Sequence, residues 1–160
     1  MLKTFAMGGI HPPENKLSAD KKIEILPLPV VCTVPVSQHI GAPAKAKVKR
    51  NDLVKAGQII AESGGFISAN IHSPVSGKVT KIENTLDSSG YKKMAILITV
   101  EGDEWVDTID RSPEINNIIT ATPEEIIEKV KAAGIVGLGG ATFPSHVKLM
   151  PPKGFKAEVL

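Results

Sequence analysis

The sequence predicts a mainly β protein with some α structure: a small barrel or sandwich, then a helix and a glycine-rich stretch. Three observations carry that expectation. Residues 36–100 read as short apolar runs cut at close intervals by turn residues. Residues 122–133 hold the strongest helix signal in the chain. Gly134, Gly137, Gly139 and Gly140 then crowd one short segment.

Composition sets the bounds. The 160 residues are 42% hydrophobic and 22% charged, so the chain can bury one ordinary core or two small ones. A net charge of +2 is too small to argue for a nucleic-acid partner. The basic group Lys45, Lys47, Lys49, Arg50 and the acidic group Glu101, Asp103, Glu104 read as solvated surfaces. Cys32 is the one cysteine; it sits in an apolar run and reads as a small buried hydrophobe rather than a reactive thiol. One thiol cannot hold an iron–sulfur cluster. No apolar run approaches the about 20 residues that span a bilayer. The start of the chain has no secretion signal, so a soluble, intracellular protein is expected.

Residues 1–35 form a Pro-rich segment. "GGIHPPENK" cannot be regular helix or central strand, because Pro12 and Pro13 lack donors and restrict their neighbours. "IEILPLPVVCTVPV" is strand-like but carries Pro27, Pro29 and Pro35, which suits edge or extended backbone. Residues 36–104 form the β unit. "AKAKVK" alternates, turns fall at Asn51-Asp52 and Lys55-Ala56-Gly57, and "KKMAILITVE" is a clear strand. Turns are also expected at Ser73-Pro74 and Ser76-Gly77.

Residues 105–160 begin a second unit. A connector holds Trp105 and an extended "INNIITA". Thr122 is a good N-cap, Pro123 suits the first helical position and Glu125 completes a capping box. Ile126, Ile127, Val130 and Ala133 recur at helical spacing, and Gly134 can end the helix in a left-handed cap. "SHVKLM" starts helically before "PPKGF" interrupts it, and the terminal "KAEVL" reads as the start of a strand.

Two half-repeats organise the β unit. "VKRNDLVKAGQIIAE" and "SPVSGKVTKIE" resemble the rhythm of biotinyl/lipoyl-carrier domains, the barrel-sandwich hybrid fold, with Gly57 and Gly77 serving tight turns. A carrier domain presents a lysine at its hairpin tip. Here the tip "ESGGFISANIHSP" has none, so covalent biotin or lipoate is not expected. His39 and His72 read as hydrogen-bonded or surface histidines, and no spacing in the chain looks like a metal site.

"GLGGATFP" is neither the dinucleotide fingerprint nor a P-loop. Its glycines would let a ligand approach the backbone, and its N–H groups could take an anion. On the residues alone it is either a phosphate cradle or a structural turn.

The stretch "GLGGATFPSHVKL" resembles the flavin-binding loop of the NADH-oxidising subunit of respiratory complex I. It is closer to the RnfC family, the C subunits of Rnf electron-transport complexes. "GGIHPPENK", "PLPVVCTVPVSQHIGAPAKAKVKRNDLVKAGQIIAE" and "GFISANIHSPVSGKV" follow that family's order. The resemblance implies a barrel-sandwich hybrid over 36–104 and the beginning of an α/β flavin/NADH-binding domain over 105–160. It implies FMN held by Gly137, Gly139, Gly140 and Ala141, with Lys148 at its phosphate. Leu138 stands where the complex I pattern has arginine, and Thr142 where it has glycine.

Members of this family pass electrons between NAD(H) and ferredoxin, through FMN and two [4Fe–4S] clusters. They work with membrane and ferredoxin-like subunits at the cytoplasmic face of the bacterial inner membrane. The chain stops shortly after the glycine stretch, so a redox-inactive N-terminal fragment is expected, with no cofactor bound and no catalytic residue assigned. A different class of reading makes the barrel a docking module for the complex's other subunits.

Overall fold

The computed structural model describes residues 12–87, 89–115, 117–152 and 154–155. The β unit consists of seven strands in chain order: β1 Val31–Pro35, β2 Lys45–Ala46, β3 Leu53–Val54, β4 Ile59–Glu62, β5 Ile71–His72, β6 Gly77–Leu86 and β7 Lys92–Val100. They form two antiparallel sheets, one ordered β1-β7-β6-β3 and the other β2-β4-β5.

The sheets share one core. Val34, Val54, Ile60, Ile71, Val79, Ile96 and Ile98 meet in it. Ile60, Ile96 and Ile98 are wholly buried, each contributing about 1.5–3 kcal/mol of apolar burial. On β7 the inward residues alternate as period two requires, Ile96 and Ile98 in and Leu97 half-exposed. On β6 the phase breaks. A bulge between Val79 and Lys81 shifts the register, so Val79 and Ile82 both pack toward the core. Thr80, the extra residue, donates its hydroxyl to the Leu97 carbonyl at 3.2 Å.

Proline placement follows hydrogen-bonding need. β1 is an edge strand, and Pro35 closes it opposite Ala95. The sheet thus takes in five residues that the sequence pattern groups with the Pro-rich segment. Pro27 and Pro29 lie in exposed backbone without regular structure. Gly8 to His11 of the "GGIHPPENK" motif and the terminal "KAEVL" lie outside the described residues, as does Asn116 of "INNIITA".

The turns at Asn51-Asp52 and Lys55–Gln58 form as expected, the first closed by Asp52 Oδ2 accepting from Lys49 N at 2.9 Å. Gly77 is different. It is the first residue of β6, paired with Val100 and Val54, and not a turn residue. A Cβ there would lie 2.0 Å from the Thr99 carbonyl oxygen, so the glycine answers a close approach of two backbones.

Two helices follow: α1 Pro123–Ala132 and α2 Ser145–Leu149. The capping box of α1 is complete, with Thr122 N donating to Glu125 Oε2 at 2.8 Å and Glu125 N to Thr122 Oγ1 at 3.3 Å. Its C-terminus is a Schellman motif: Ile135 N donates to the Val130 carbonyl and Gly134 N to the Lys131 carbonyl. The expected apolar face is only partly covered. Ile127 and Val130 are half-buried, whereas Ile126 and Ala133 are exposed, and no α1 residue is fully buried. The connector before α1 is pinned rather than loose: Ala56 N donates to the Glu104 carbonyl and Val106 N to the Ala56 carbonyl. Arg111 stacks over Trp105 at 4.4 Å.

Candidate functional site

The site grows from the hairpin that joins β4 to β5, whose tip is Ser63–Asn70. Asn70 Oδ1 accepts from Ser63 N at 3.0 Å, and Ser68 Oγ from Gly64 N at 2.9 Å. His39 reaches across from the neighbouring loop. Its Nε2 accepts from Ala69 N at 3.1 Å, which puts the ring proton on Nδ1, 3.2 Å from the Ile40 carbonyl. Ser68 and Ala69 are buried as a result. The apex of the tip, residues 65–67, stays exposed, but both of its shoulders are tied down.

The tip also holds α1. Asn70 Nδ2 donates to the Ala132 carbonyl at 3.3 Å, and the His72 ring lies against the same turn, its Cε1 3.3 Å from where a Cβ on Gly134 would stand. Gly134 packs onto the tip so closely that a Cβ would lie 2.3 Å from the Asn70 carbonyl oxygen. Its φ of +65° is left-handed, so Gly134 meets two demands at once. The C-terminus of α1 is therefore set by the barrel, and the glycine stretch starts from that fixed point.

A backbone bridge between Val136 and Pro144 closes the stretch into a loop, with Gly137 N donating to the Phe143 carbonyl at 3.0 Å and Ser145 N to the Ile135 carbonyl at 2.9 Å. The backbone N–H groups of residues 138–142 donate to no partner among the described residues. Gly139 and Gly140 have open space where a Cβ would stand, and neither has a left-handed φ. The fold therefore has no need of glycine at either position. Lys148 is exposed, and its amine lies 5.7 Å from the Phe143 ring centroid. A Cβ on Gly137 would come within 3.9 Å of that amine. The structure thus brings Gly137 and Lys148 together at the base of the loop, with Gly139, Gly140 and Ala141 along its exposed crest. The donor set, N–H groups without partners among the described residues, glycines that allow contact with the backbone and one exposed cation, is chemically compatible with a phosphate.

Sequence reasoning missed Asn70 and His146 here, and noted Thr142 only as a replaced glycine. Asn70 carried no signal of its contact with α1. Thr142 has φ +49°, a left-handed conformation that a β-branched residue adopts at a cost of about 1 kcal/mol or more. His146 on α2 is buried against the tip and α1, in a cavity of about 220 Å³ lined also by Phe66, Ile127 and Lys131, and its Nδ1 has no hydrogen-bond partner among the described residues. Burial lowers the pKa of His146, and Lys131 lowers it further against a smaller opposing pull from Glu128. Burial also lowers that of His72, partly offset by the backbone of Ala132. Burial raises the pKa of the Cys32 thiol, which keeps it protonated and unreactive.

The two histidines give a pH prediction. Each binds its proton less readily folded than unfolded, so the unfolded state gains protons first as the pH falls. Stability should be full above the ordinary histidine value of about 6.5 and should decline as the pH drops through it. Urea midpoints measured from pH 8 to pH 5 should show this decline, and the His72→Gln, His146→Leu double variant should flatten it.

Among the described residues no helix is long and apolar enough to cross a membrane, and no three His, Cys, Asp or Glu side chains gather as metal ligands.

Comparison with known proteins agrees with this architecture. The family model described as the RnfC barrel sandwich hybrid domain matches residues 3–103. The chain is 47% identical to the C subunit of a proton-translocating ferredoxin:NAD(+) oxidoreductase complex of Clostridium ljungdahlii, over 99% of this chain and 34% of that protein. It is 46% identical to the C subunit of an ion-translocating oxidoreductase complex of Rhodobacter capsulatus, over 92% of this chain and 29% of that protein. It is 42% identical to the C subunit of a Na(+)-translocating ferredoxin:NAD(+) oxidoreductase complex of Acetobacterium woodii, over 94% of this chain and 34% of that protein. It thus spans about a third of the length of these relatives. Two small sheets curled over a shared core, the matched family model and the relatives all lead to one assignment: the chain belongs to the RnfC family, and its β unit is that family's barrel-sandwich hybrid domain.

Proposed function

We propose that the chain is the N-terminal part of a membrane-peripheral subunit that passes electrons between NAD(H) and ferredoxin, and that its glycine loop cradles the phosphate of FMN. The observation that carries this reading is the pair Gly139 and Gly140, which neither packing nor backbone conformation requires, beside free N–H groups and the Lys148 amine. A glycine that the fold does not need is explained by a ligand that must touch the backbone. Gly137, Gly139, Gly140 and Ala141 would hold the phosphate and Lys148 would balance its charge. When bound, the flavin exchanges a hydride with nicotinamide and single electrons with iron–sulfur clusters. The clusters belong to the longer subunit, because Cys32 alone could supply no ligand set. The partners are the membrane and ferredoxin-like subunits of an Rnf complex, at the cytoplasmic face of the membrane.

An FMN fluorescence titration tests the cradle, comparing this chain with the same chain extended to the length of its relatives. The extended chain should bind. Lys148→Ala should weaken binding about tenfold, the effect of one charge-assisted contact. Gly139→Ala should also weaken it while leaving the urea midpoint unchanged. A folded, extended chain that binds no FMN makes the loop a structural turn.

One observation favours a second role for the N-terminal end. Ile23, Ile25, Leu26 and Val30 are almost fully exposed in backbone that leads into β1. Such a segment suits contact with another subunit of the complex. Replacing Ile23 and Ile25 with serine should then reduce co-purification of the complex without lowering the barrel's urea midpoint.

A further inference from the structure

A cleft of about 700 Å³ lies between the barrel and the glycine loop. Its walls come from the end of β1 and the loop after it, from the β6–β7 hairpin, and from Thr142. The lining mixes apolar Pro35, Ile40 and Leu86 with hydroxyl and amide groups, among them Ser37, Thr85 and Thr142. The acidic residue in it is already occupied. Asp87 takes the Lys93 amine at 2.6 Å on one oxygen, and on the other it accepts from Ser89 N, Ser89 Oγ and Tyr91 N. Its carboxylate is held well below the usual range, first by Lys93 and then by Ser89. The cleft therefore offers neutral hydroxyls and a compensated charge, which suits a polyhydroxylated molecule and does not repel a phosphate ester.

Thr142 is the second, independent observation. It is the loop residue in the cleft wall, and it sits in a left-handed conformation where glycine would be unstrained. A strained β-branched residue persists where its side chain is used. Its hydroxyl donates to the Ala141 carbonyl at 2.7 Å, which leaves the oxygen free to accept from a ligand.

We propose that this cleft binds the sugar or polyol portion of a phosphorylated ligand, so that the barrel forms one wall of the cofactor site. The proposal rests on the reading of the glycine loop as a phosphate cradle. The phosphate would lie on the free N–H groups of the crest, and the hydroxylated chain next to it would run along Thr142 toward Ser37 and Thr85.

The test uses the chain extended to the length of its relatives and three probes: inorganic phosphate, ribitol 5-phosphate and FMN, titrated calorimetrically. Thr142→Gly removes the hydroxyl and the strain together. It should weaken ribitol 5-phosphate and FMN about fivefold, the effect of one lost hydrogen bond, with the affinity for inorganic phosphate and the urea midpoint not reduced. The Ser37→Val, Thr85→Val double variant, made on the barrel away from the loop, should weaken the same two probes and spare phosphate. Wild-type affinity for ribitol 5-phosphate in both variants overturns the proposal while leaving the phosphate cradle standing. If the unsubstituted protein binds none of the three probes, the cradle reading fails and the proposal falls with it.

Discussion

Replacing Gly77 with alanine is expected to cost the barrel about 3 kcal/mol, a large effect for one added methyl group. The new Cβ would stand 2.0 Å from the Thr99 carbonyl oxygen and 3.0 Å from Glu101 N. Both are backbone atoms of the β7 end of the main sheet, so no side chain can turn aside to make room. Relief would require parting β6 from β7, the longest strand pair in the molecule, next to the buried Val79 and Ile98. Gly90→Ala supplies the control. That glycine has a left-handed φ of +80° but open space around it, so only the conformational cost of about 1 kcal/mol applies. Urea unfolding of the two variants should differ accordingly. Equal losses would show that conformation, and not the close approach, sets the need for Gly77.

Gly134→Val should act locally and strongly. Valine is poorly suited to a φ of +65°, and its Cβ would strike the Asn70 carbonyl oxygen at 2.3 Å. The Schellman end of α1 and the bond from Asn70 to the Ala132 carbonyl would be lost together. Few buried contacts hold α1 otherwise, since none of its residues is fully buried. Amide exchange across residues 135–149 should rise on the order of 100-fold, as the loss of about 3 kcal/mol of local stability requires. The barrel's own unfolding transition should hardly move. Unchanged protection in α2 would mean that the helices are held by something other than this junction. Asn70→Ala, which removes one side-chain bond and leaves the backbone free of strain, should give a smaller rise in the same segment.

The parts of this structure that were legible in the sequence are those whose cause is local. Thr122, Pro123 and Glu125 start α1 through contacts within one turn, and Gly134 ends it the same way. β7 announced itself by continuous apolar and β-branched residues. The glycine stretch stood out by its crowding, while Lys148 entered only through the resemblance to a flavin-binding loop; the structure puts a Cβ built on Gly137 3.9 Å from the Lys148 amine. What stayed hidden depends on partners distant in the chain. Gly77 looked like a turn residue because the Thr99 carbonyl that crowds it belongs to another strand. The second reason for Gly134, the Asn70 carbonyl, is likewise invisible to a window of neighbouring residues. His146 showed no sign of burial, since Ser145 and Lys148 around it are polar and the covering atoms come from the hairpin tip. The covered face of α1 was overread because spacing reports which residues share a side, not whether anything lies against it.

The tethered hairpin tip has a wider meaning. Domains of this shape that carry a tethered group work by travel, and their tip must be free to visit one station after another. Here the tip is bonded on one shoulder to His39 and on the other to the end of α1. The inherited hairpin has become a bracket. It ties the loop that carries His39 and the end of α1 to one hairpin, and so keeps those two parts of the molecule at a constant distance.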